Sequence, residues 1–367
     1  MRVHVIGGFL GAGKTTAMRA LARHLEQRGD RVALVTNDQG HALVDTALCR
    51  TDASPVQEIG GGCFCCRYTD LDEALRAAEA AGATTTIAEA VGSCTDLVAT
   101  VIAPLADLQV GRFDVAPLTV VVDPRRVEEM ARDGFDDDVR YLFRKQIEEA
   151  DVVVLSRADL DPPDVREVVR GWNPGAAIVA VSGRTGTGIE AWVAAAPATP
   201  AEPLAIDYDR YAAAEAALGW CNARVRLRAV REGGVLDAAP ILARFFDALR
   251  DAPVAHLKVT SPDGLGGSAA LTCRGGEAVF VDAASMARGV GEIVWLVNAR
   301  VALSPEALEA RLRAAMEGAA LDAVAVWEEL ACFRPGRPVP LHRYATRCCA
   351  EGERVGDGRL VGSLVRR

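Results

Sequence analysis

The sequence has no excess of positive charge, no apolar run approaching the length of a membrane span, and no internal repeat or low-complexity segment. A formal net charge of −9 opposes non-specific binding to nucleic acid or to an anionic bilayer, so neither partner is expected. The missing long apolar run argues against a transmembrane helix. The opening Met1-Arg2-Val3-His4-Val5-Ile6 lacks the charged start, apolar core and cleavage site of a secretory leader, and a cytoplasmic location is expected. Half of the 367 residues are hydrophobic, which excludes a disordered or fibrous chain and leaves length for two globular domains.

What is present begins at Gly8. Gly8-Phe9-Leu10-Gly11-Ala12-Gly13-Lys14-Thr15-Thr16 fits G-x-x-x-x-G-K-[ST], follows an apolar run and precedes a segment of helical periodicity. Gly8, Gly11 and Gly13 let the backbone wrap phosphate oxygens, so successive N–H groups and a helix N-terminus face the negative charge. Lys14 reaches the β- and γ-phosphates, Thr15 offers a hydroxyl to Mg²⁺, and Thr16 caps the helix or touches the α-phosphate.

The first helix runs from Thr15 to Gln27, with Met18, Leu21, Ala22 and Leu25 on one face. A second strand, Arg31 to Thr36, ends in Asn37-Asp38-Gln39-Gly40-His41, at the carboxyl edge where open α/β sheets place ligands. Asp38, His41 and Asp45 are within short reach as cation ligands or as a nucleotide-responsive loop; a plain solvated loop is the alternative.

Ten cysteines in a chain expected in the cytosol point to thiolate chemistry rather than to disulfides. Three of them fall within four residues in Gly60-Gly61-Gly62-Cys63-Phe64-Cys65-Cys66, a natural tetrahedral site for Zn²⁺ or another soft metal, or else a redox-reactive cluster. Both readings leave a fourth ligand open. Cys49, Cys94, Cys221 and Cys273 read as small buried hydrophobes. After a helix near Asp70 to Ala81, the strand Thr84-Thr85-Thr86-Ile87-Ala88 leads to Glu89 and, three residues on, Gly92. In a phosphate-loop fold that acid lies beside Mg²⁺ and its water, and the glycine N–H senses the γ-phosphate.

Further strands are expected at Leu118 to Val122, Val152 to Leu155 and Ala177 to Val181. The second of these ends in Ser156-Arg157-Ala158-Asp159, where an Asp accepts from the N1–H and exocyclic amine of guanine. The third ends in Ser182-Gly183, whose backbone faces the base carbonyl.

Taken together, the loop at Gly8 to Thr16, Asn37-Asp38-Gln39-Gly40, Gly62-Cys63-Phe64-Cys65-Cys66, Glu89-Ala90-Val91-Gly92, and Gln146 through Ala150-Asp151 into Asp159 resemble the CobW-type family of metal-linked GTPases, within the SIMIBI class of phosphate-loop proteins. The resemblance spans about residues 1 to 190. It implies GTP hydrolysis coupled to handling of a transition metal, zinc or cobalt, with Cys63, Cys65 and Cys66 as ligands. Three positions depart from the family: Ser156-Arg157-x-Asp159 replaces Asn-Lys-x-Asp, Asp38 replaces the usual Glu, and His41 stands where a second acid is common. A nitrogen ligand shifts preference towards zinc, cobalt or nickel.

The expected architecture is α/β, a phosphate-loop domain over 1–193 with a mostly parallel sheet flanked by helices. An Ala- and Pro-rich linker over 194–213 joins it to a smaller α+β domain of ferredoxin-like type over 214–331. A tail over 332–367 carries Cys332, His342, Cys348 and Cys349, read as a proline-stiffened segment packed over the domain, with a second metal site, or ligands lent to the first, as the alternative. The functional expectation is a GTPase metallochaperone that releases metal to a client metalloenzyme, its site completed by that client or by a homodimer. Two other classes remain: a metal- or redox-sensing protein without turnover, and a phosphate-loop kinase acting on a small molecule.

Overall fold

Short β-branched runs alternating with amphipathic segments dictate a parallel sheet covered on both faces. The computed structural model describes residues 1–38, 44–49, 54–132, 136–252, 254–262, 268–271, 273–274, 277–278 and 288–347. His41, Cys348 and Cys349 lie outside the described residues, as does the side chain of Asp45. The order is β1 (Arg2–Gly7), α1 (Lys14–Gln27), β2 (Val32–Asn37), α2 (Val44–Cys49), β3 (Val56–Ile59), α3 (Tyr68–Ala80), β4 (Thr85–Glu89), then a π-helical stretch Val98–Ile102 continuing into α4 (Ala103–Leu108). It continues with β5 (Asp114–Val115), β6 (Thr119–Val122), α5 (Pro124–Ala131), α6 (Asp137–Glu148), β7 (Val152–Leu155), α7 (Arg166–Trp172), β8 (Ala177–Ala180) and α8 (Ile189–Val193).

These strands form one eight-stranded sheet, β3-β2-β4-β1-β6-β7-β8 with β5 also on β1, and every pairing is parallel. The fully buried Val152–Leu155 and Val32–Asn37 are almost wholly apolar because helices cover both faces. The chain runs from β1 to β2 on one side and returns to β6 on the other, so the loops after β1, β4, β6 and β7 open at one carboxyl edge.

A helix, α9 (Tyr208–Ala216), begins within the stretch expected as linker and runs past its end at 213; it is capped by Asp207, whose side chain accepts from the N–H groups of Asp209 and Arg210. Beyond it come β9 (Gly219–Ala229), β10 (Val235–Asp237), α10 (Ala238–Asp247), β11 (Val254–Thr260), β12 (Ser268–Leu271), the short pair β13 (Cys273–Arg274) and β14 (Glu277–Ala278), β15 (Arg288–Val290), β16 (Glu292–Val301), α11 (Pro305–Ala319) and β17 (Ala323–Phe333). The expected separate α+β domain is present, built on a five-stranded sheet β12-β11-β16-β9-β17. Its last strand, β17, pairs along β9 and runs two residues past the expected boundary at 331.

Strand alternation gives this sheet two different faces. Cys221, Ala223, Val225, Leu227, Leu257, Val259, Trp295, Val297 and Ala299 share one core with Leu308 and Leu312 of α11 and Phe245 of α10. The residues between them point the other way. Trp220 enters the core that contains Cys63, Phe64, Cys65 and Tyr68, while Lys258, Asn298 and Arg300 reach the phosphate-loop domain.

After β17 the chain crosses back over the first domain. The N–H of Leu341 donates to the Cys65 carbonyl and that of Tyr344 to Ala99, both at 2.9 Å. Arg343 pairs with Asp96 at 2.7 Å and Arg347 with Asp151 at 2.7 Å. His342 sets its ring edge-on to Tyr68.

Candidate nucleotide and metal site

The loop after β1 has the backbone that phosphate binding needs. Gly8, Gly11 and Gly13 have φ of 129°, 74° and 93°. A Cβ at Gly8 would lie 2.1 Å from the Val121 carbonyl oxygen, so no other residue fits there. Gly13 caps α1 without a side-chain hydrogen bond, the kind of helix N-terminus at which an anion binds. Lys14 is buried, with Nζ 3.4 Å from the Phe9 carbonyl oxygen.

Thr15 and Glu89 meet beneath this loop, the hydroxyl donating to Oε1 at 3.1 Å. A hydroxyl and a carboxylate side by side are hard oxygen donors suited to Mg²⁺. From the second domain, Lys258 Nζ comes within 3.3 Å of the same Thr15 hydroxyl. Gly92 follows β4 and packs directly on the phosphate loop: a Cβ there would sit 2.7 Å from Leu10 Cδ2 and 3.2 Å from Leu10 Cα. Gln146 of α6 fixes this turn, donating to the carbonyls of Gly92 at 3.1 Å and Cys94 at 2.8 Å.

The loops after β7 and β8 come together on the far side of α1. Arg157, in the left-handed region at φ 59°, donates to the Gly11 carbonyl at 2.9 Å and forms an ion pair with Asp123. Ser156 lies beside Gly13, its hydroxyl buried and without a hydrogen-bond partner among the described residues. A Cβ at Gly183 would press on Thr16 and Ala17, so the Ser182 turn also rests on the start of α1. Asp159 is held below the usual carboxylate range, first by a hydrogen bond from Ser182 and further by Arg184, whose NH2 lies 2.6 Å away. The four expected base-side residues therefore share one rim.

The thiols form the third part. Asn37 at the end of β2 donates to the carbonyls of Ile59 at 3.0 Å and Gly62 at 2.7 Å, joining the glycine run to the sheet edge. The next turn closes with Cys66 N–H and Arg67 N–H donating to the Cys63 carbonyl. Cys63 Sγ lies 2.8 Å from Cys65 Sγ and 3.6 Å from Cys66 Sγ, and Cys65 and Cys66 are 3.7 Å apart. Among the described residues these three are the group placed to hold a metal ion. Hydrogen bonds from Cys65, Cys66 and Cys94 hold the Cys63 thiol well below its ordinary pKa; the same contacts push Cys65 well up and Cys66 to about 11.

Asp38 does not join this set. Its Oδ1 and Oδ2 lie 2.9 and 3.2 Å from Arg300 NH2, and Asn298 Nδ2 donates to Oδ2 at 2.7 Å. Lys258, Asn298 and Arg300 are absent from the sequence reading, which found no chemical set in the second domain. The available signal is in β16, where Asn298 and Arg300 interrupt one face of an apolar strand.

Among solved structures the chain is similar to Zn(II)-bound YjiA GTPase from E. coli, at 14% identity and TM-score 0.34 over 87% of this chain and 98% of that one. It is also similar to HypB from Helicobacter pylori in complex with nickel, at 20% identity and TM-score 0.37 over 52% and 83%. In sequence it is 25% identical over 183 residues to the zinc chaperone YeiR of Escherichia coli K12, covering 47% of this chain and 51% of that protein. It is 28% identical over 192 residues to the zinc chaperone CobW of Pseudomonas aeruginosa, covering 43% and 48%. The match to the zinc chaperone YjiA of Escherichia coli K12 is 39% over 74 residues, 20% of this chain and 23% of that protein. The chain spans about half the length, or less, of these curated relatives. No helix among the described residues is long and apolar enough to cross a membrane. Residues 2–179 match the family described as "CobW/HypB/UreG, nucleotide-binding domain", and this part of the chain belongs to that family.

Proposed function

We propose that this protein is a GTP-hydrolysing metallochaperone that couples nucleotide state to the binding of zinc, or of cobalt, and hands the metal to a client metalloenzyme. The observation that carries the reading is the adjacency of its two sites. The Glu89–Gly92 turn packs on the phosphate loop at Leu10, and Cys94, two residues on, is buried in the same core as Cys63, Phe64 and Cys65.

In this reading the N-terminus of α1 and Lys14 bind the phosphates, and Asp159 with Ser182 selects guanine. Arg157, bound to the Gly11 carbonyl, braces the phosphate loop in the position of the family's lysine. Thr15 and Glu89 would hold Mg²⁺, which offsets the charge of the β- and γ-phosphates. Glu89 also orients the attacking water. Gly92 follows the γ-phosphate, and its movement is transmitted to the thiol cluster. The zinc preference is supported by soft thiolate donors and by the names of the curated relatives.

The test is GTP and ATP turnover by metal-free protein titrated with Zn²⁺, Co²⁺ and Ni²⁺, beside a Cys65→Ser, Cys66→Ser variant and a Lys14→Ala variant. Expected are loss of turnover in Lys14→Ala and a metal response confined to intact thiols. Turnover indifferent to every metal overturns the coupling.

A further inference from the structure

We propose that Cys221 and Cys332 are a redox modification site, a pair of thiols that a low-molecular-weight disulfide of the glutathione class closes into a bridge between β9 and β17. The inference stands apart from the metallochaperone reading and uses none of its ligands.

The pairing register sets Cys332 of β17 directly opposite Cys221 of the antiparallel β9. Both side chains lie on the face that packs against α10 and α11, Cys221 inside that core and Cys332 at its edge. Their neighbours Trp220 and Phe333, also opposite one another, turn to the other face, with ring centroids 6.3 Å apart. Opposed residues on antiparallel strands hold their Cβ atoms about 4.5–5.5 Å apart. A disulfide needs about 3.5–4.5 Å. The two ranges meet, and β17 ends the five-stranded sheet, so a small approach of this edge strand closes the gap.

The two thiols differ in the way that thiol–disulfide exchange requires. Cys332 is half-buried and reachable from solvent, whereas Cys221 is fully buried. A hydrogen bond from Cys221 holds the Cys332 thiol below its ordinary range; the same contact, together with burial, pushes Cys221 up. Cys332 is therefore the attacking thiolate. Its Sγ breaks the S–S bond of the small disulfide, forms a mixed disulfide and releases one small thiolate. Cys221 passes its proton to that thiolate and attacks Cys332 Sγ, which expels the second. Two protein thiols are oxidised, and one small disulfide is reduced to two thiols.

The bridge falls where the second domain is fastened to the first. The Cys221 carbonyl accepts from Arg300 NH1 at 3.2 Å, and the same guanidinium stacks on Trp220 and holds Asp38 at the end of β2. Phe333, beside Cys332, ends β17 and opens the segment that returns to the Cys65 carbonyl through Leu341. Oxidation ties the roots of both connections together, and it closes a chain loop spanning nearly the whole second domain, which restricts the unfolded state.

The test equilibrates zinc-free, full-length wild-type protein in buffers of oxidised and reduced glutathione, traps the thiols by alkylation and maps them by peptide mass spectrometry. Expected is a linked peptide pair holding Cys221 and Cys332, formed equally in the Cys65→Ser, Cys66→Ser variant, and a higher urea midpoint for the oxidised protein. In Cys221→Ser the resolving thiol is gone, so a glutathione adduct should stay on Cys332. Thiols that alkylate separately at every glutathione ratio overturn the proposal. So does a bridge that forms only in urea, or one that joins Cys332 to a different cysteine. These results leave the metallochaperone reading standing, since that reading fails only in the metal titration.

Discussion

Arg300 holds Asp38 across the boundary between the two domains, with one guanidinium nitrogen 2.9 and 3.2 Å from the two carboxylate oxygens. Both groups are buried, and Arg300 also stacks on the Trp220 ring, 3.9 Å from its centroid. The pair therefore fastens the second sheet to the end of β2, next to Asn37 and the glycine run of the thiol loop. Removing one partner leaves the other charge buried and uncompensated, which costs about 3–5 kcal/mol. Arg300→Met should lower unfolding stability by that order in urea titration. The double variant Asp38→Asn, Arg300→Met should lose clearly less than the two single losses added; additive losses would mean that the two residues act independently.

Lys258 and Thr15 make the second contact between the domains. An ammonium 3.3 Å from the Thr15 hydroxyl, the group proposed above to hold Mg²⁺, would oppose a dication there. Two unit charges 4 Å apart interact by about 4 kcal/mol at an effective dielectric constant of 20, and the lysine's flexible stem relieves much of this. Lys258→Met should therefore lower, by several-fold, the Mg²⁺ concentration needed for half-maximal binding of a fluorescent GTP analogue. A raised Mg²⁺ requirement would show instead that Lys258 supports the phosphates.

What the sequence discloses about this site depends on how locally its chemistry is written. Gly8 to Thr16, Glu89 to Gly92 and the thiol run each combine residue type and spacing within a few positions, so their places follow from β1, β4 and β3 alone. Arg300 and Asn298 meet Asp38 across 262 and 260 residues, and no local pattern says what a polar strand face will touch. α9 is hidden because alanine-rich composition reads as linker, although Asp207 gives it a proper cap. β17 escapes because Glu328 and Glu329 disturb its alternation where the register shifts.

Glu149 gives the fold a pH dependence. It is buried at the end of α6 and accepts from the Thr95 hydroxyl at 2.9 Å and the Val98 N–H at 3.3 Å. Burial, and then the neighbouring Asp96 carboxylate, pushes its carboxyl from 4.5 up to about 8. The folded state thus favours the protonated form. Its stabilising contribution is complete below pH 4.5 and is lost as pH rises towards about 8, with a slope of about 1.4 kcal/mol per pH unit. Glu149→Gln removes the titration, and its amide cannot replace both acceptors. Urea unfolding across this window should find Glu149→Gln less stable at the acid end, with a flatter decline towards the alkaline end. Equal slopes for wild type and variant would refute the assignment.

The crossing segment after β17 binds the thiol loop from outside, and Arg343 is its anchor. Asp96, almost wholly buried and at φ 66°, accepts from Arg343 Nε and from the Tyr208 hydroxyl, both at 2.7 Å. Asp96 lies two residues beyond Cys94, and Leu341, two residues before Arg343, hydrogen-bonds the Cys65 carbonyl. The ion pair thus fastens the segment that hydrogen-bonds the thiol loop at Cys65. Arg343→Ala leaves Asp96 a single strong donor and should cost about 1–3 kcal/mol, the cost of an unmet buried charged acceptor. Because the segment also shapes the thiols, zinc affinity should fall together with stability, by a few-fold in chelator competition. Hydrogen exchange should quicken at Leu341 and Tyr344, whose amides bridge to Cys65 and Ala99. An Arg343→Ala protein that loses stability while keeping wild-type zinc affinity would separate the clamp from the metal site.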